Sequence, residues 1–299
     1  MTRQKQKEPD LNTTPSAPPD VAEVRDEVVT VIRPISRWEV LNVRQILAFR
    51  DLLFALGSRD VKLRYRQTAL GVVWVVLQPL LAAGIFSFVF DKVAGLKAPN
   101  GLPYFVFSYA GMLGWNLFSS TLTKASTSLV QNAGLVSKVY FPKILVPLSS
   151  MFAGLVDFAV AFALFLILLP LYGIPITWQF ALFPVWIGLI LLAALGLGLY
   201  SSALMVTYRD VQYVVPVFVN MLLYATPIAY SLDAVPGSLR SIVAINPLTG
   251  LFEGLRWSLL GTGGPQTGYL IYSIVACVAA FVLGALLFGK VERRFADVI

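Results

Sequence analysis

Six long apolar stretches constrain this chain more than any other feature. They cover residues 72–90, 104–122, 144–171, 180–205, 214–230 and 269–288. A helix that crosses a bilayer needs about 20 such residues. Inside hydrocarbon every backbone N–H and C=O must find its partner within the protein, which leaves helices or closed barrels as spanning structures. Runs of this length without strict alternation specify helices. The expected fold is an all-α integral membrane protein with six transmembrane helices.

A seventh apolar run, LTGLFEGLRWSLL at residues 248–260, is too short to cross and carries Glu253 and Arg256. It reads as a re-entrant half-helix before the last span. Asn246-Pro247 supplies a cap and a first-turn proline, and the glycine-rich stretch from Gly261 ends it. Glu253 and Arg256 stand three residues apart and are expected to neutralise each other.

Charge is scarce and unevenly placed. Of the whole chain 57% is hydrophobic and 13% charged, against roughly a quarter charged in a soluble domain. The segment before Thr68 holds 12 Lys/Arg and 9 Asp/Glu of the chain's 23 and 16. Three regions follow: a disordered tail over residues 1–35, a cytoplasmic interface segment over 36–70 and a transmembrane domain over 71–299. The first 20 residues are polar and proline-rich and show no apolar signal-peptide core.

Positive charge sets the orientation. With the N-terminus inside, 19 Lys/Arg fall in cytoplasmic segments and 4 outside, out of the 23 in the chain. Both termini are therefore expected in the cytoplasm, and VSKVYFPKILVP, residues 136–147, becomes a cytoplasmic connection between spans two and three. Its Lys138, Tyr140, Phe141, Pro142 and Lys143 form a basic, aromatic, proline-broken step. An exposed aromatic pair there suits docking on a partner; a plain positive-inside turn is the simpler alternative.

Several chemistries are excluded. The chain has no histidine and one cysteine, Cys277. Histidine-dependent catalysis, Cys/His zinc sites and an intrachain disulfide are ruled out, and no metal site is expected. The stretch Gly284 to Lys290 has the spacing of a phosphate loop, but Val291 stands where Ser or Thr must hold magnesium. It also closes a transmembrane helix, so the glycines are assigned to helix packing and Lys290 to the membrane boundary.

Asp157 lies within the third apolar run with no basic residue at similar depth in the sequence. It is read as an inward-facing group, neutral or hydrogen-bonded to a neighbouring helix, with a substrate or proton site as the alternative. Tyr104, Phe107, Trp115 and Phe118 share one face of the second run. They form either an aromatic track along which sugar rings slide or a packing seam. Before the first span, residues 51–66 carry Arg59, Lys62, Arg64 and Arg66 between two narrow apolar stripes. That pattern suits a helix lying on the membrane and touching a second surface.

These pieces together resemble the permease subunits of ABC-2-type exporters of O-antigen, capsule and teichoic-acid polysaccharides. The resemblance runs from about Leu52 to Phe295. It is carried by LGVVWVVLQP (70–79), YAGMLGWNLF (109–118), SKVYFPKILVP (137–147), YRDV (208–211), Asn246-Pro247 and Leu255-Arg256. It implies a homodimeric channel in a bacterial inner membrane that moves lipid-linked polysaccharide, most simply O-antigen. Two separate ATP-binding cassette subunits would hold ATP and magnesium, with no cofactor on this chain and no nucleic-acid partner. It also implies that the 136–147 connection couples to the ATPase. A drug or small-lipid exporter permease is the rival within the class. A secondary transporter or a membrane-bound glycosyltransferase is the rival outside it. The missing internal repeats weigh against the first of these and the missing carboxylate pair against the second.

Overall fold

A computed structural model describes residues 43–66, 71–261 and 263–292; the expected tail over 1–35 lies outside them. Among the described residues all regular structure is helical. The helices are α1 (Val43–Ala48), α2 (Arg50–Arg66), α3 (Gly71–Phe86), α4 (Tyr104–Gln131), α5 (Ala133–Lys138), α6 (Leu145–Leu171), α7 (Phe183–Thr207), α8 (Val211–Ala225), α9 (Gly237–Ile245), α10 (Leu248–Leu260) and α11 (Thr267–Glu292). A π-helical turn, Ser87–Val93, continues α3.

Among the described residues four segments are long and apolar enough to cross a membrane: Val73–Val93, Leu145–Leu171, Trp178–Thr207 and Thr267–Glu292. The other two expected spans depart from that pattern for physical reasons. Helix α4 has 28 residues and is rich in Ser and Thr. It packs against α3, α6, α7, α8 and α10, so much of its surface meets protein and needs no lipid-compatible side chains. It runs nine residues past the apolar run, and hydroxyls there are satisfied by helix carbonyls, as Ser126 is by Thr123 (2.7 Å) and Ser128 by Ala125 (2.8 Å). Helix α8 has only 15 residues, about 22 Å. It stops at Ala225 because Pro227 biases Thr226 out of the helical region, and Thr226 is extended.

The short helix α10 occupies 248–260 as its sequence predicts. Asn246 Oδ1 accepts from the Leu248 N–H at 3.0 Å, and Gly261 ends the helix in the left-handed conformation at φ 69°. Glu253 and Arg256 interact electrostatically, as their spacing predicts, while the hydrogen bonds of the arginine go elsewhere. Arg256, 4% exposed, donates from Nη1 to the carbonyls of Ile228 (3.3 Å) and Tyr230 (3.0 Å) and lies 4.4 Å above the Phe107 ring. The turn after α8 has carbonyls without helical partners, and the N–H donors of the single nitrogen Nη1 satisfy two of them.

Helix α7 sits between α4 and α11. At the α7–α11 crossing two glycines meet: a Cβ on Gly284 would overlap the carbonyl of Gly196, and one on Gly196 would overlap the backbone of Phe281. Gly284 and Lys290 thus lie inside one continuous helix, and backbone contact accounts for Gly284.

Candidate functional site

The end of the bundle where α2 packs gathers the charged and aromatic candidates. Helix α2 lies against α6. Phe54 and Phe152 rings are 5.3 Å apart, and Gly57 faces Phe152 so closely that a side chain there would overlap the ring. Helices α4 and α6 have 28 and 27 residues, about 40 Å each, and exceed the roughly 30 Å hydrocarbon layer. The excess gives α2 a protein surface to dock on.

Asp157 shows what that docking does. Its carboxylate accepts from the Tyr65 hydroxyl at 2.7 Å and pairs with Arg64 Nη2 at 2.9 Å, and Lys124 Nζ stands 3.9 Å away. The expectation that Asp157 has no basic partner is therefore corrected: it joins α2, α4 and α6. Burial and the bond to Asp157 push the Tyr65 phenol up to about 12. Arg64 and Lys124 line two cavities. One, about 370 Å³, is bounded by Gln78, Asn116, Ser119, Asp157 and Asn220 among others. The other, about 520 Å³, extends toward Arg59, Ser128 and Asn132.

Of the other interface residues, Arg59 bonds Asp60 (2.9 Å) and Asn132 Oδ1 (2.7 Å), while Lys62 and Arg66 are exposed. Asn132 is the corner between α4 and α5. At the other side of the step, the Lys143 N–H donates to Glu292 Oε1 of α11 at 3.0 Å. The connection is thus held at both margins by α2 and α11, and between them Lys138 and Tyr140 are exposed.

Tyr140 is 68% exposed, but Phe141 is 5% exposed. The expected exposed aromatic pair is corrected to one exposed ring and one anchor. Phe141 opens the apolar run into α6, where Ile144, Leu145 and Val146 are also buried; Pro142 and Lys143 are half-buried.

Tyr104, Phe107, Trp115 and Phe118 are all buried within the chain. The Tyr104 hydroxyl donates to Ala229 O (2.7 Å), Phe107 lies under Arg256, and Trp115 packs on Phe118 (5.5 Å) and Phe252 (6.2 Å). Their burial favours the packing-seam alternative over the sliding track. Exposed rings stand instead on α8, where Tyr213 and Tyr224 lie on a stripe with Val217 and Met221. Spacings of 4, 4 and 3 residues mark that stripe, and it was not singled out from sequence.

The apolar helices of spanning length mark a multi-pass membrane protein. The family description "ABC-2 type transporter" matches residues 51–260, and the chain belongs to that family. It is similar to an O-antigen export system permease protein RfbA of Myxococcus xanthus, at 34% identity over 86% of this chain and 98% of the relative. A protein of the same description from Klebsiella pneumoniae is 29% identical over 83% of this chain and 95% of its own. The polysialic acid transport protein KpsM of Escherichia coli is 25% identical over 80% and 91%.

Proposed function

We propose that this chain is the permease of an ATP-driven exporter that carries lipid-linked polysaccharide, most simply O-antigen, across a bacterial inner membrane. The observation that carries this reading is similarity along nearly the whole length of relatives described as O-antigen export permeases. In this reading α3, α4, α6, α7, α8 and α11 span the membrane. Both termini are cytoplasmic, and α9 and α10 re-enter from outside. Lys138, Lys143, Arg209 and Lys290 then all fall on the inner side, as positive-inside placement requires.

Two copies form the pathway, and two ATP-binding cassette subunits hold ATP and magnesium and dock on the 136–147 step. The exposed stripe Tyr213, Val217, Met221 and Tyr224 on α8 supports pairing with a second copy, since it is left uncovered within one chain. The clamped margins of the step support docking, because a rigid tip loses less freedom on binding.

Splitting the aromatic pair tests the docking. Tyr140→Ala is expected to cost about 2 kcal/mol of ATPase-subunit binding, the scale of an interface hot spot, with no change in thermal stability. Phe141→Ala is expected to lower stability first, because its ring is internal. Co-purification and melting of both variants in detergent check this; unchanged retention with Tyr140→Ala rejects the docking role.

A further inference from the structure

A third cavity lies beside α9 and α10. Phe107, near the start of α4, borders it, whereas Asn132 of the α2 contact follows the other end of that helix. The cavity measures about 130 Å³, and Asp233, Arg240, Glu253, Arg256 and Gln266 line it among others. One water needs only about 10–15 Å³ of such space, and a pocket for a drug-sized ligand begins near 300 Å³. The size suits one small ring. The lining is polar and balanced: two carboxylates face two guanidinium groups. Arg240 Nη2 bridges Asp233 Oδ1 at 2.7 Å, and its Nε has no hydrogen-bond partner among the described residues. The Glu253 carboxylate feels Arg256, Asp233 and Arg240 together. The further acid Asp91 acts on Tyr104, and Lys97 (2.9 Å) and Lys92 (3.4 Å) bridge it there. Gln266 is exposed on the link between α10 and α11.

We propose that this cavity is a subsite for one uncharged sugar ring, held between Glu253 and Arg240 with Gln266 at its edge. The inference rests on the exporter reading, which puts α9 and α10 on the outer side and supplies a polysaccharide. Neighbouring hydroxyls of a sugar ring both donate and accept. A carboxylate accepts only and a guanidinium donates only, so the two together serve both functions of a hydroxyl pair, and an amide serves either. Hydrogen bonds to charged groups are also about twice as strong as neutral ones. An acidic sugar fits less well, because its carboxylate adds a third negative charge to a lining already balanced. An apolar ligand leaves the polar walls without partners, which is costly.

The full chain in lipid nanodiscs tests this with labelled tetrasaccharides. Neutral ones of glucose, galactose, mannose and rhamnose are compared with tetrameric sialic acid. At least one neutral tetrasaccharide is expected to be retained, and the acidic one more weakly. Gln266→Ala is expected to weaken neutral retention by about twofold to tenfold, the scale of an uncharged hydrogen bond. Glu253→Gln keeps the side-chain shape and removes one negative charge. It is expected to weaken neutral retention by about tenfold or more and to strengthen retention of the sialic acid, because the lining then carries a net positive charge. Opposite signs for two ligands in one variant are not produced by general loss of folding. The proposal is overturned if the wild-type chain retains no neutral tetrasaccharide or prefers the acidic one. It is equally overturned if either variant leaves neutral retention unchanged, or if Glu253→Gln weakens both ligands. Polymer export by the wild-type complex is measured separately, so loss of the subsite leaves the exporter reading standing.

Discussion

Gly284→Leu will leave almost no folded chain in the membrane. At the α7–α11 crossing the glycine Cα faces the carbonyl of Gly196, a backbone atom that cannot rotate away. Overpacking in a close-packed interior costs about 1–3 kcal/mol when side chains can adjust. Here the two helices must separate along their shared face. Gly284→Ala carries the first part of that penalty and is expected to melt lower than wild type. Gly188→Ala on α7, the helix of Gly196, is the control. Nothing lies within 4 Å of the added methyl, and helix propensity favours alanine by about 1 kcal/mol. Thermal melting in detergent reads all three. A Gly284→Leu chain as stable as Gly188→Ala would mean the helices do not cross at these glycines.

Arg256→Ala is the second large effect expected. Arg256 satisfies the carbonyls of Ile228 and Tyr230 and covers the Phe107 ring. Truncation leaves both carbonyls without this donor and opens a gap beside α4. Each unsatisfied buried polar group costs about 1–3 kcal/mol, so a loss of about 2–6 kcal/mol is expected for the two. Arg256→Lys will not fully restore it, because an ammonium lacks the flat face that stacks on the Phe107 ring. The same melting experiment checks both. A lysine variant equal to wild type would show that charge alone suffices at this position.

The parts of this structure that were legible in the sequence rest on local patterns. The α10 helix, its Asn246 cap and its Gly261 terminus follow from residue types within one short stretch. Apolar length likewise marks α6 and α11. Long-range pairing was not legible. Tyr65 and Asp157 lie 92 positions apart, and nothing in either segment names the other, so a hydrogen bond to a neighbouring helix was expected for Asp157 but neither Tyr65 nor the basic partner Arg64 was. The length of α4 was hidden for a related reason. Six of its last nine residues are polar, and hydropathy cannot distinguish a polar stretch that packs on protein from one that leaves the membrane. Phe141 was misjudged because its neighbours Lys138 and Lys143 suggest surface, while the run from Ile144 onward pulls it inward. The aromatic face of α4 was correctly grouped, but grouping does not say whether a stripe faces a pathway or a neighbouring helix, and Phe252 and Arg256 fill that space.

The most direct test is ATP-driven movement of a lipid-linked polymer in proteoliposomes containing this chain and its cassette ATPase. Transport is expected with the active ATPase and ATP. None is expected when the ATPase carries a substitution of its catalytic base, or when this chain is present alone. Transport by this chain alone under a proton or sodium gradient, or ATP turnover by the isolated chain, would contradict its assignment as the permease of an ATP-driven exporter.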